Sequence, residues 1–104
     1  MAKETLQLER EDSTTPETVE VSTLRIANYP AAYAAHSAGD EFRLLEIIVG
    51  RPKQWAIGLT PESYDALAAA VYRTSPSFFA YSARQSMTRS IGNMAASVVR
   101  GNNG

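Results

Sequence analysis

The hydrophobic pattern of this chain changes period once, near residue 28. Over residues 17–26, "ETVEVSTLRI", Val19 and Val21 alternate with polar neighbours, and after a shift Leu24 and Ile26 continue the apolar side. A period near two, with Thr and Val content, predicts a strand. Residues 5–11 read as a weaker extended stretch with Leu6 and Leu8 on its apolar side, and Ser13-Thr14-Thr15-Pro16 can turn the chain between the two. Residues 1–18 are therefore either the first strand of a hairpin or an N-terminal arm.

From Asn28 the punctuation becomes helical. Asn28 is placed to cap a helix with Pro30 in its first turn, and Gly39 stops it. Asp40 caps "EFRLLEIIV", and Gly50 with Pro52 ends that helix. Its six apolar residues between Phe42 and Val49 predict the most buried helix of the fold. A short turn, "KQWAIGL", leads to Thr60-Pro61-Glu62: a hydroxyl cap, a first-turn proline and a carboxylate at the positive dipole end. Tyr64, Leu67, Ala68 and Val71 follow at helical spacing. Ser75-Pro76 repeats the start signal before a last helix of about 20 residues, whose stripe runs Phe79, Ala83, Met87, Ile91, Met94, Ala95, Val98. Gly92 weakens its middle, and residues 101–104, "GNNG", read as a frayed tail. The predicted fold is mainly α: a short N-terminal β-hairpin or extended arm, then four to five short helices in a compact bundle, with residues 19–100 as one globular domain.

Phe78 and Phe79 stand side by side at the start of the last helix, about 100° apart around its axis. The stripe assigns Phe79 to the core. Phe78, with Tyr81 and Gln85, is then left to face a partner.

Composition narrows the class. The chain has 104 residues, 44% hydrophobic and 20% charged, which fits one packed domain and not wholesale disorder. Its longest apolar run, Ala66 to Tyr72, is far shorter than the roughly 20 residues of a membrane helix. "MAKETLQLER" lacks the apolar stretch of a secretory signal. With no cysteine, disulfides and thiolate metal sites are excluded, and a reducing cytoplasm fits. The net charge of −1 divides unevenly: residues 1–41 carry three basic against eight acidic side chains, and residues 42–104 seven against three. Such halves are either ordinary solvated faces or attract within one fold or between copies.

Catalytic groups are scarce, and no enzyme activity or cofactor is expected. His36 is the only histidine; it stands four residues from Asp40, but Gly39 ends the helix between them. No second base exists for a nucleophile triad. Asp40 with Glu41 reads as helix capping, and "GRPK" lacks the glycine spacing of a phosphate loop. Arg84, Arg89 and Arg100 beside Phe78, Phe79 and Tyr81 can meet phosphates and bases. Three arginines off a single stripe, in a chain of pI 5.8, are thin for a polyanion binder. Trp55 either plugs the core or anchors a partner. Met87 and Met94 either fill the core or adapt to varied apolar helices.

The order of these motifs resembles the small tail assembly chaperones of long-tailed, Mu-like bacteriophages and prophages. The resemblance covers about residues 19–83. It rests on Leu24, Ile26 and Pro30; on Gly50, Arg51, Pro52 and Trp55; on Leu59, Tyr64 and Leu67; and on Ser75, Pro76, Phe78 and Phe79. It departs at Ser75, where the family pattern has asparagine; both residues cap helices. The resemblance implies a chaperone of the host cytoplasm, absent from the mature virion. Such a chaperone binds the long, apolar, helical tape-measure protein before the tail tube polymerises. Tail-tube protein and further copies of the chain are additional partners under this reading, and a frameshifted longer form accompanies many members. The candidate contacts are Phe78, Tyr81, Trp55, Met87, Ile91 and Met94. Two other readings are a small phage inhibitor or adaptor, touching a host protein through its acidic half, and a weak nucleic-acid binder.

Overall fold

The computed structural model describes the backbone of residues 2–103 and the side-chain surroundings of residues 2–89. Strands β1 (Lys3–Leu8) and β2 (Glu17–Ser22) form a two-stranded antiparallel sheet, with Lys3 opposite Ser22 and Leu8 opposite Glu17. Helices α1 (Tyr29–Ser37), α2 (Glu41–Val49), α3 (Pro61–Thr74) and α4 (Pro76–Asn103) follow, with 3-10 turns at Ile26–Asn28 and Ala56–Gly58. The chain is mainly helical with an N-terminal hairpin, in line with the period change at residue 28.

The N-terminal stretch is a strand and not a loose arm because its inner face is committed. Leu8, Val19 and Val21 are sealed against α2 and α3, while Thr5, Gln7, Thr18 and Glu20 face outward. Beyond β1 the chain keeps pairing: Glu11 N–H donates to Gly58 C=O (2.8 Å), and Thr60 N–H to Glu9 C=O (3.0 Å). Ile26 is exposed, so the apolar side of the second stretch ends at Leu24.

The strongest punctuation is realised. The Asp40 carboxylate accepts from Arg43 N–H (3.1 Å), and Thr60 Oγ1 accepts from Ser63 N–H (3.3 Å). Gly39 and Gly50 take φ of +76° and +71°, the left-handed geometry that closes a helix and that a Cβ disfavours. Two caps differ from expectation. Asn28 sits at the N-cap of α1 without a side-chain bond, because a 3-10 turn leads directly into that helix. Ser75 lends its hydroxyl to Leu24 N–H (3.0 Å), while Thr23 Oγ1 donates to Thr74 C=O (2.7 Å). This buried polar clasp ties the exit of β2 to the α3–α4 junction. α4 is also longer than expected, and its helix includes three of the four residues read as a tail.

The opposite charges of the two halves meet inside one chain. Arg73 donates to Glu4 through Nε (3.0 Å) and Nη2 (2.8 Å), and Arg51 lies 3.2 Å from Glu17. The Arg73 hydrogen bond holds the Glu4 carboxyl below its ordinary value of 4.5, against a smaller effect of desolvation. A carboxyl whose folded pKa is depressed stabilises the fold above its unfolded pKa, and that contribution disappears as pH falls through the folded value. The Glu4→Gln variant should therefore melt below wild type above about pH 5 and converge with it in stronger acid. Thermal denaturation across pH checks this; a constant gap at every pH would contradict it.

Candidate functional site

α2 is well buried, as its composition predicts, with four of its nine residues enclosed, but its N-terminal end is open. Leu44, Leu45 and Ile48 enter the core, but Phe42 is 46% exposed. Phe42 and Glu46, one turn apart, start a second stripe beside the core-facing one. The turn at Ala56–Gly58 covers the Glu46 end of it. Glu46, 1% exposed, accepts from Ala56 N–H through Oε2 (2.9 Å), and its Oε1 lies 3.6 Å from Arg43 Nη1. The turn stops short of Phe42 and projects Ile57, 68% exposed, beside it. The two line the same pair of surface depressions.

Aromatic side chains extend this surface. Tyr64 from the first turn of α3 meets Phe42 edge-on at 5.4 Å and donates its hydroxyl to Glu41. Burial, then the Glu41 carboxylate, hold the Tyr64 phenol far above its usual range, so it remains a donor at any physiological pH. Two turns along α3, about 12 Å away, the exposed Tyr72 stacks on the half-buried Phe79 of α4 (4.3 Å, 28°). Its hydroxyl is also raised, by burial first and by Glu41 second, which places both tyrosines within the field of one carboxylate. Ile57, Phe42, Tyr64, Ala68, Tyr72 and Phe79 thus form an apolar strip across α2, α3 and the start of α4. An exposed strip of this kind marks a place where another apolar surface can leave water.

The anchoring of Ile57 predicts a variant effect. Glu46→Ala leaves Ala56 N–H without its acceptor and Arg43 without its carboxylate. It should cost about 2–3 kcal/mol in urea denaturation and weaken any binding that uses Ile57. Glu46→Gln keeps an acceptor for Ala56 and should cost less.

The sequence-derived contact residues fall elsewhere. Phe78 is the largest fully buried side chain, at 0% exposure, packed edge-on against Tyr29 (5.4 Å) and Phe79 (5.1 Å). The expectation for Phe78 is therefore overturned, because it is core; Phe79 packs on that core and edge-on to His36 (5.4 Å) as expected, but is only half-buried and carries Tyr72 on its other side. The reason lies in α1. It offers Tyr29, Tyr33 and His36 to α4, and the matching stripe on α4 is Phe78, Tyr81, Ser82 and Gln85. The buried Ser82 hydroxyl and the half-buried His36 Nδ1 lie 2.7 Å apart, a polar pin between the helices. Tyr81 is half-buried against Tyr29 (4.9 Å).

Trp55 is also spoken for. Its Nε1–H donates to Glu17 (3.0 Å), and the Arg10 and Arg51 guanidinium groups lie 5.6 and 5.7 Å from its ring. This sandwich joins the hairpin to the segment after α2 and accounts structurally for the G-R-P-x-x-W spacing. Met87 is exposed on α4, well along the helix from the strip. Ile91 and Met94 lie outside the residues whose side chains are described, as does Arg100. Arg84 and Arg89 are exposed, and Arg89 Nη1 reaches the Tyr33 hydroxyl at 3.4 Å.

Among the described residues no group of three or more His, Asp or Glu side chains is placed to hold a metal ion. No described helix is long and apolar enough to cross a membrane. No family model, curated protein or solved structure matches the chain.

Proposed function

We propose that this protein is a tail assembly chaperone of a long-tailed, Mu-like phage or prophage, which holds the helical tape-measure protein in solution until the tail tube forms around it. The observation that carries the reading is the apolar strip from Ile57 and Phe42 to Tyr72 and Phe79, left uncovered although the core behind it is closed. Helix-in-groove recognition needs such a surface: the client's apolar face is removed from water on a strip of aliphatic and aromatic side chains. The order of motifs through residues 19–83 supports the same reading. Here those motifs act as punctuation that holds the strip in shape: Gly50 closes α2, Trp55 clamps the following turn, and Thr60 opens α3.

The chaperone acts in the host cytoplasm and leaves before the virion is complete. Tape-measure protein is its client, and tail-tube protein or a second copy are further partners. Coexpression with a tape-measure fragment tests the proposal. The fragment should remain in the supernatant and copurify with the chaperone at 0.5 M NaCl, because apolar contacts do not weaken with salt as phosphate contacts do. An insoluble fragment, or a complex dispersed by salt together with nucleic acid, would count against it.

A further inference from the structure

The sheet has two full strands, and the chain adds a fragment of a third on the β1 side alone. There Leu59 bridges Arg10, Glu9 C=O accepts from Thr60 N–H (3.0 Å), and Glu9 N–H donates to Ser63 Oγ (2.7 Å). The other side of the sheet is the edge of β2. Thr23 N–H donates to Ala2 C=O (3.2 Å), which sets the phase of the ladder. Val19 and Val21 therefore bond to β1, and the N–H and C=O groups of Thr18, Glu20 and Ser22 point away from it. Among the described residues none of these outward groups has a backbone partner. The edge also lacks two common protections, since β2 contains no proline and its six register pairs run without a bulge. Beside it lies a depression lined by Ile47, Ile48 and Val49 from the end of α2.

We propose that a second copy of this chain covers the β2 edge: the two β2 strands run antiparallel across a two-fold axis, and two hairpins become one four-stranded sheet. The occupant follows from the edge itself. Its alternating donors and acceptors match extended backbone, and under a two-fold axis the same residues supply both sides of the pairing. The pair closes on itself, because Leu59 and Thr60 already interrupt the outer edge of β1. The exposed side chains choose the register. An axis at Glu20 sets two carboxylates face to face, which is unfavourable. An axis at Val19 sets Glu20 beside Thr18 and Gln7 of the other copy, without a cation. An axis at Val21 sets Glu20 beside Ser22 of the other copy and next to Lys3, which stands opposite that serine. Lys3 already lies 3.6 Å from its own Glu20, so in this register it serves two carboxylates. Ile47 and Val49, half-buried beside the edge, leave water in the same step. The pairing uses no residue of the apolar strip and does not rest on the chaperone reading.

The test uses the full chain. Sedimentation velocity from micromolar to millimolar concentration should show a monomer–dimer equilibrium. As the dimer fills, amide exchange should slow at Glu20 and Ser22, while Thr5 and Gln7 on the β1 edge keep their fast exchange. Glu20→Pro removes an outward N–H that the ladder does not use, and does so twice per dimer. It should weaken association at least tenfold with an unchanged circular dichroism spectrum. Thr5→Pro, the same change at the residue opposite Glu20 on the β1 edge, should leave association within about twofold. A monomer at every concentration overturns the proposal. So does a dimer whose Glu20 and Ser22 amides exchange as fast as in the monomer, a result read on the unmodified chain whether or not a proline variant folds.

Discussion

Replacing Phe78 by alanine should cost about 3–5 kcal/mol, the range for deleting a buried aromatic ring that leaves a cavity behind. The ring is fully enclosed at the meeting of α1 and α4, where Tyr29 and Phe79 pack edge-on against it. A domain of this size is stable by about 5–15 kcal/mol, so the loss is a large share of the total, from about a fifth upward. Phe79→Ala removes a half-buried ring that stacks on an exposed tyrosine, and should cost about 1–2 kcal/mol. Urea denaturation followed by circular dichroism orders the two variants. A larger loss for Phe79 than for Phe78 would mean that α4 is rotated by about one residue, 100°, from the packing described.

The largest effect on binding should come from Ile57→Glu. Ile57 is two-thirds exposed, so the variant should fold with a denaturation midpoint within about 0.5 kcal/mol of wild type. In a complex the side chain would be covered. Burying an isoleucine contributes about 1.5–3 kcal/mol, and a carboxylate in its place must be stripped of water without a partner. Client affinity should fall at least tenfold, and more when Phe42→Ser is added. Calorimetry with a tape-measure helix peptide measures it. Unchanged affinity in a folded double variant would move the client to another face.

The backbone plan was legible because its signals are local. Asp40 and Gly50 bound α2, Thr60-Pro61 opens α3, and the alternation of Val19 and Val21 marks β2; each acts on neighbouring residues and does not depend on tertiary context. Orientation was less legible because it is decided across the chain. On α4 the apolar steps Phe79, Ala83 and Met87 are the more hydrophobic stripe, yet the helix turns Phe78, Tyr81 and Ser82 inward. His36 gives the buried Ser82 hydroxyl a polar partner, and Tyr29 gives Phe78 an edge-on contact. Hydrophobicity alone cannot anticipate a serine whose burial depends on a histidine 46 residues away.

The strip was missed for a related reason. Phe42 belongs to the apolar series of α2, although Glu46, one turn further along the same stripe, is a charged residue that interrupts it. Ile57 lies inside a short turn, and nothing local reveals that Glu46 grips Ala56 and thereby points the next side chain outward. The Trp55 step was seen as a motif without its cause, because Arg10 and Glu17, the residues that hold the ring, come from the hairpin.

The most direct measurement is an amide and methyl chemical-shift map of the isotopically labelled protein titrated with a tape-measure helix peptide. The account predicts shifts centred on Ile57, Phe42, Tyr64, Ala68 and Tyr72, with the outer face of the hairpin at Thr5, Gln7 and Thr18 unmoved. Shifts centred on the hairpin face, with Ile57 and Phe42 unmoved, would contradict it.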